Sequence, residues 1–251
     1  MKVRFLGAHN LESDKTRLPS ILVDDVLLLD AGGLTGSLSF EEQARIKYIV
    51  LSHHHYDHIR DIPCLCLAFF GVRTFSVYGA EKTLSVLSSY LVDGTLYPKF
   101  TERPENNPTL KLIPIEPLNP QKVGEYTITL FPANHTVESY AIFVERDRKL
   151  FYTGDTGPGI RKWWERVNPD LIIFDLTLPD RFEEMARETG HLSPKLLYDE
   201  IKAFRDIKGY TPKIALTHIS PLLREEIERE VSKLEEGLSI IIGREGLEIE
   251  V

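Results

Sequence analysis

His53-His54-His55-Tyr56-Asp57-His58 follows directly on the apolar run Tyr48-Ile49-Val50-Leu51-Ser52. A short apolar, β-branched run reads as a buried strand, and the residues after it as the loop that ends the strand. Read as H-x-H-x-D-H, the stretch crowds three imidazoles and a carboxylate into a single turn of chain. Side chains so close together cannot all point to solvent. Those that converge, neutral imidazoles with carboxylates, bind divalent metal. The spacing is too tight for one tetrahedral ion to use all four ligands, which indicates two ions side by side. The cluster is internal, interrupts a hydrophobic pattern and contains a placed Asp, so it does not read as a tag remnant.

The same signature recurs at other strand ends. Phe131 is followed by Pro132-Ala133-Asn134-His135, Leu150-Phe151-Tyr152-Thr153 by Gly154-Asp155-Thr156-Gly157, and Ile214-Ala215-Leu216-Thr217 by His218. Sites in α/β folds gather on the rim formed by the carboxyl ends of strands. A lone His after a strand is usually an ordinary loop residue, but a His or Asp after one buried strand after another is not easily coincidence.

This pattern resembles the metallo-β-lactamase superfamily, whose hallmark is H-x-H-x-D-H, and the resemblance runs from Phe5-Leu6-Gly7 to Thr217-His218. It implies an α/β fold of the αββα sandwich type: two mixed β-sheets packed face to face, with helices on both outer faces. It also implies two metal sites. His53, His55 and His135 hold the first ion in that scheme, Asp57, His58 and His218 the second, and Asp155 bridges the two. A ligand set of His and Asp without thiolate accepts zinc, manganese or iron, with zinc the usual occupant.

Three features place the resemblance in the phosphodiesterase branch, which includes tRNA 3′-processing endonucleases (tRNase Z) and class II cyclic-nucleotide phosphodiesterases. They are His218 in Thr217-His218-Ile219-Ser220-Pro221, His191 in Thr189-Gly190-His191-Leu192-Ser193-Pro194, and Asp155 in Phe151-Tyr152-Thr153-Gly154-Asp155-Thr156-Gly157-Pro158. The cyclic-nucleotide type fits somewhat better, on Leu29-Asp30-Ala31-Gly32 and His135-Thr136-Val137-Glu138-Ser139. The tRNase Z type carries a flexible basic arm, and no such segment stands out here. By resemblance, a water shared by the metals attacks phosphorus, His191 serves the leaving group, and Asp175 in Phe174-Asp175-Leu176-Thr177 orients His191. Asp57, His191 and Asp175 form the expected catalytic set. Other readings are a tRNase Z-like nuclease, a hydrolase of another ester, and a non-catalytic diiron protein that binds oxygen or senses redox state.

Composition sets the frame. The chain has 251 residues, 42% hydrophobic and 27% charged, long enough for one domain spanning 1–251 with a sizeable core. Its net charge of −8 and lack of a basic block argue against a duplex-binding surface. The expected substrate is a small phosphodiester, with nucleic acid not favoured, no membrane, and a homodimer left open. No leader-like or membrane-spanning run is seen, and a cytoplasmic location is expected. Cys64 and Cys66, in an apolar setting without a second pair, read as buried core thiols.

Along the chain the pattern predicts strands at Val3–Leu6, Ile21–Val23, Val26–Leu29 and Ile46–Leu51, with a turn at Asp24-Asp25. Helices are predicted over Asp61–Phe70 and Glu81–Leu91, with a strand at Thr74–Tyr78 between them. Residues 93–122 read as turn-rich with one short strand near Leu110–Ile113. Strands follow at Tyr126–Phe131, Tyr140–Val144, Leu150–Thr153, Leu171–Phe174 and Lys213–Thr217, and two short ones, Ser239–Ile242 and Leu247–Val251, close the chain. Helices are expected over Arg161–Arg166, Pro194–Ile207 and Pro221–Leu234, with Ser193 capping the second. His54 alternates away from the ligands, His9 follows the first strand, and Tyr56, Trp163 and Trp164 read as core or interface aromatics.

Overall fold

In the computed structural model, which describes residues 1–234 and 238–251, the amino end folds as the alternation predicts. Strands β1 (Lys2–Gly7), β2 (Ser20–Val23) and β3 (Leu27–Leu29) pair antiparallel. Asp24 and Asp25 turn between β2 and β3 at φ of 49° and 60°. The Val26 amide closes this β-turn on the Val23 carbonyl at 3.1 Å; positive φ at both central residues suits Asp better than most residues. Strands β4 (Tyr48–Val50), β5 (Phe75–Gly79) and β6 (Leu110–Pro114) then add in parallel.

The second half repeats the scheme. Strands β7 (Gln121–Val123), β8 (Tyr126–Pro132), β9 (Tyr140–Glu145) and β10 (Lys149–Tyr152) pair antiparallel. Strands β11 (Leu171–Asp175), β12 (Lys213–Thr217) and β13 (Ile240–Ile242) follow in parallel. The last strand, β14 (Glu248–Glu250), returns to pair with β1. The sheet orders are β14-β1-β2-β3-β4-β5-β6 and β13-β12-β11-β10-β9-β8-β7.

Side chains alternate across each strand, so every strand feeds two layers. Ile21, Val23, Leu27 and Leu29 of the first sheet meet Ile128, Ile142, Val144 and Ile173 of the second in the central core. The opposite faces pack on helices. Leu22, Leu28 and Ile49 lie with Ile59 of α2 (Tyr56–Ile59), Leu65 of α3 (Ile62–Ala68) and Leu84 of α4 (Glu81–Val86). Phe143, Phe151 and Ile172 lie with Ala186 of α5 (Glu183–Thr189), Leu197 of α6 (Pro194–Lys208) and Ile227 of α7 (Arg224–Val231). This is the expected αββα sandwich, with two mixed sheets face to face and helices outside. No helix among the described residues is long and apolar enough to cross a membrane.

Several local expectations need correction. The ligand loop is partly helical: after His55 the chain enters α2, whose last residue, Ile59, is buried against the first sheet. Cys64 is exposed, its Sγ 3.8 Å from the Tyr97 hydroxyl, because α3 turns it outward; Cys66 one face away is buried, and burial pushes its thiol up to about 12. Residues 93–122 contain a second strand, β7, and the predicted helix over Glu81–Leu91 changes at Leu87 to a wider π turn. Helix α5 escapes the periodicity because Ala186 is its one buried residue. Helix α7 starts only at Arg224, after a turn at Ser220 to Leu223. Ser193 does not cap α6 with its hydroxyl. That group donates to Asp180 Oδ1, and the same oxygen accepts the Lys195 amide of the first helical turn at 2.8 Å.

Trp164 anchors the second outer layer. It is fully buried, meets Phe151, Phe174 and Phe204 edge-on, and donates from Nε1 to the Glu200 carbonyl. Its replacement by Ala leaves a cavity, and is expected to cost about 3–5 kcal/mol. Chemical denaturation of the two proteins measures this; a change under about 1 kcal/mol would mean the layer collapses around the gap.

Candidate metal centre

Five strand ends and one short helix converge on one rim. β4 delivers His53 and His55, α2 adds Asp57 and His58, and β8, β10, β11 and β12 lead to His135, Asp155, Asp175 and His218. The structure brings His53, His55, His135 and Asp155 into one group and Asp57, His58, Asp155 and His218 into another, with candidate ligand atoms within 4.8 Å of one another in each. Asp155 belongs to both. His218 sits at φ 62°, a left-handed conformation strained for His. The backbone holds it there: Ile219 donates to the Ala8 carbonyl and accepts from the Asn10 amide.

The spacings suit cations between the groups. His135 Nε2 stands 3.1 Å from His55 Nδ1, His58 Nε2 3.4 Å from Asp57 and 3.3 Å from Asp155, and His218 Nε2 3.2 Å from Asp57 and 3.3 Å from Asp155. His53 and His135 each lie 3.8 Å from Asp155 Oδ2. Ligand atoms about 2.1 Å from a shared tetrahedral ion stand about 3.4 Å apart, which is this range. His53 Nε2, His58 Nε2 and Asp155 Oδ1 are buried without a hydrogen-bond partner. A buried polar atom left unpaired is costly, and here the unpaired atoms face one another, so the residues fit the group.

The opposite ring nitrogens of four of these histidines are engaged. His58 Nδ1 meets Asp30 Oδ2 at 2.7 Å, His135 Nδ1 the Gly190 carbonyl at 3.0 Å, His53 Nδ1 the Ser52 hydroxyl at 3.0 Å, and His218 Nδ1 the Thr177 hydroxyl at 2.7 Å. Such partners fix tautomer and ring orientation of metal ligands. Gly190 has φ 70°, and a Cβ there would stand 2.6 Å from His135 Cα, so only glycine lets this carbonyl approach.

Sequence reasoning missed Asp30, Tyr152, Ser52 and Thr177. Asp30 is fully buried and accepts from the Ser52 amide and hydroxyl, the Tyr152 hydroxyl and His58. A charged residue closing the apolar run Val26-Leu27-Leu28-Leu29 was the available signal. His191 Nδ1 lies 3.0 Å from Asp175 Oδ2, the anticipated pairing, and its ring stacks on His218. His54 stays outside both groups, half-buried. His9 is fully buried and pairs with Glu245 at 2.7 Å, beside Ile219. Tyr56 is not a core aromatic but is 62% exposed, since the first turn of α2 aims it at solvent. Trp163 packs on Phe131.

Electrostatics in the free protein follow from the same contacts. Burial alone would push Asp155 up, yet the charges of His218 and His58 hold it well below the usual carboxylate range. Burial alone would lower His58 and His218. Asp155 leads the carboxylates that raise His58 well above its ordinary value and His218 to about 10. Burial, then the charge of His58, drives His53 well down. An ion bound between these groups would have to displace the protons held on His58 and His218, so uptake is expected to tighten as pH rises from 6 to 8, about tenfold per pH unit for each proton released. Chelator competition at the two pH values tests the sign, and a flat response would contradict it.

A family model described as a beta-lactamase superfamily domain matches residues 25–219. Ribonuclease Z of Methanocaldococcus jannaschii is 28% identical over 314 aligned positions, covering 98% of this chain and 95% of the relative. Among solved structures, the metallo-beta-lactamase fold protein YhfI from Bacillus subtilis superposes with a TM-score of 0.80 at 21% identity, covering 99% of each chain. Unliganded yeast PDE1 superposes with a TM-score of 0.84 at 16% identity, covering 98% of each chain. Both are similar in fold to this chain. The family match spans most of its length, strand ends and ligand groups included, and the chain belongs to the beta-lactamase superfamily.

Proposed function

We propose that this chain is a metal-dependent hydrolase of phosphodiesters. The observation that carries the reading is the pair of donor groups sharing Asp155, with His191 and its carboxylate partner beside them. In it, His53, His55, His135 and Asp155 would hold one divalent ion, and Asp57, His58, His218 and Asp155 would hold a second. When bound, two such ions supply a water of lowered pKa and neutralise charge on the phosphate.

The chain's own residues do the rest. Asp57 and Asp155 offset the charge of two dications. Asp175 accepts a hydrogen bond from His191 Nδ1–H, whose proton stays on the ring, so that the proton passed to the departing oxygen comes from Nε2. Asp175 is itself held by the Thr177 hydroxyl at 2.7 Å, so the pair is oriented before substrate arrives. Zinc suits the His-and-Asp set, as manganese and iron do.

The substrate in this reading is a small diester of the cyclic-nucleotide type. The supporting feature is the net charge of −8. The alignment with the archaeal Ribonuclease Z runs over 314 positions against 251 residues here, so that relative carries insertions this chain lacks. A polyanionic RNA gains most of its affinity from cationic contacts. A second reading, an RNA 3′-end nuclease, is favoured by the name of that relative, against the acidic composition. Bis-p-nitrophenyl phosphate, cyclic AMP and a tRNA precursor, tested side by side with metal-loaded protein, separate them. Turnover of cyclic AMP without cleavage of the precursor supports the small-diester reading; the reverse sinks it and leaves the nuclease.

A further inference from the structure

Asp175 faces two histidines and reaches only one of them directly. Its Oδ2 is 3.0 Å from His191 Nδ1, whereas its Oδ1 is 3.5 Å from His218 Nδ1, too far for a hydrogen bond of ordinary strength. The Thr177 hydroxyl fills the gap, 2.7 Å from each of Asp175 Oδ1 and His218 Nδ1. A hydroxyl has one hydrogen, and a carboxylate only accepts. The hydroxyl has two acceptors in reach, Asp175 Oδ1 and, at 3.1 Å, the His218 carbonyl; it donates to the nearer, charged Asp175, and with either one His218 Nδ1–H must donate to the hydroxyl. In the neutral ring this leaves the lone pair on Nε2, the nitrogen that faces Asp57 and Asp155.

The first sheet repeats the device with different residues. Asp30 Oδ2 meets His58 Nδ1 directly at 2.7 Å and accepts the Ser52 hydroxyl at 2.7 Å. Ser52 Oγ, having spent its hydrogen on Asp30, accepts from His53 Nδ1 at 3.0 Å. His53 Nε2 then faces Asp155 as a lone pair, 3.8 Å from Oδ2. Each buried carboxylate thus orients one histidine directly and a second through a hydroxyl. The two hydroxyl-held histidines belong to different ligand groups: His53 to the first, His218 to the second.

We propose that Ser52 and Thr177 are positioning residues, each fixing one histidine of a different metal pocket, so that the affinities of the two pockets are set by separate hydroxyls. The inference rests on the two-ion reading above. Each replacement removes one hydrogen-bond partner of one ligand and leaves the three other donors of that pocket in place. Losing such an outer partner weakens an ion by about 10–100-fold.

The test is metal occupancy, pocket by pocket, from anomalous diffraction of crystals soaked at limiting zinc, with chelator-competition titrations in solution. The proteins are wild type, Ser52→Ala, Thr177→Val and Thr177→Ser. Expected is a double dissociation. Ser52→Ala empties the His53/His55/His135 pocket first, Thr177→Val the Asp57/His58/His218 pocket first, and Thr177→Ser restores the second pocket. Melting curves of the metal-free variants separate this from general loss of structure, which would weaken both pockets together and would overturn the proposal. Wild-type occupancy in both variants would overturn it equally. Wild type that fills neither pocket would instead remove the two-ion reading, and this inference with it.

Discussion

Replacing Asp155 by alanine is expected to empty both metal pockets and abolish diester hydrolysis. The carboxylate is buried, its Oδ1 3.3 Å from His58 Nε2 and its Oδ2 3.3 Å from His218 Nε2 and 3.8 Å from His53 and His135. Among the described residues, only Asp155 is a member of both groups. Loss of an outer partner alone costs about 10–100-fold in metal affinity, so loss of a shared ligand should exceed that at both pockets. Metal analysis of the purified variant reads the effect. A variant that still bound two ions with the affinity of the wild type would remove Asp155 from the centre of this account. Asp57→Ala is the contrast: Asp57 belongs to one group only, so its loss should spare the first pocket.

His191→Ala should separate chemistry from metal binding. Its ring stacks on His218 and its Nδ1 is committed to Asp175, yet none of the inferred ligand roles depends on it. Both ions should remain. A proton donor contributes about 10²–10⁴-fold where the leaving oxygen needs a proton. p-Nitrophenolate leaves without one. The variant should therefore lose most of its rate on cyclic AMP and little on bis-p-nitrophenyl phosphate. An equal loss on both substrates with the ions retained would show that His191 serves the attacking side or binds substrate, and loss of an ion would make it a ligand.

How much could be read beforehand depended on the kind of signal. Strands buried on both faces announce themselves as apolar runs, which is why β8 to β12 were placed within a residue or two. The histidines and aspartates at their ends were visible because polar residues that break such runs are few. Helices α1 (Phe40–Gln43) and α5 left almost no trace, as they bury only Gln43 and Ala186 respectively and so lack an apolar stripe. Asp30, Ser52 and Thr177 were harder for another reason. Asp30 and Thr177 act on rings far away in sequence, His58 and His218, while Ser52 acts on its neighbour His53, and residue type alone does not distinguish a hydroxyl that orients a ligand from one that closes a turn. The exposure of Cys64 depended on which way α3 faced, and the predicted helix boundaries did not resolve that.

The central claim is that ions in the two groups sharing Asp155 perform the hydrolysis. The most direct measurement is the rate of bis-p-nitrophenyl phosphate hydrolysis by metal-stripped protein as zinc or manganese is added back in known equivalents. The account predicts no rate without metal, a rise on addition, and a plateau once both groups are filled, at two equivalents per chain. A protein that fills both groups and turns over no diester, or one whose rate survives removal of every ion, would contradict it.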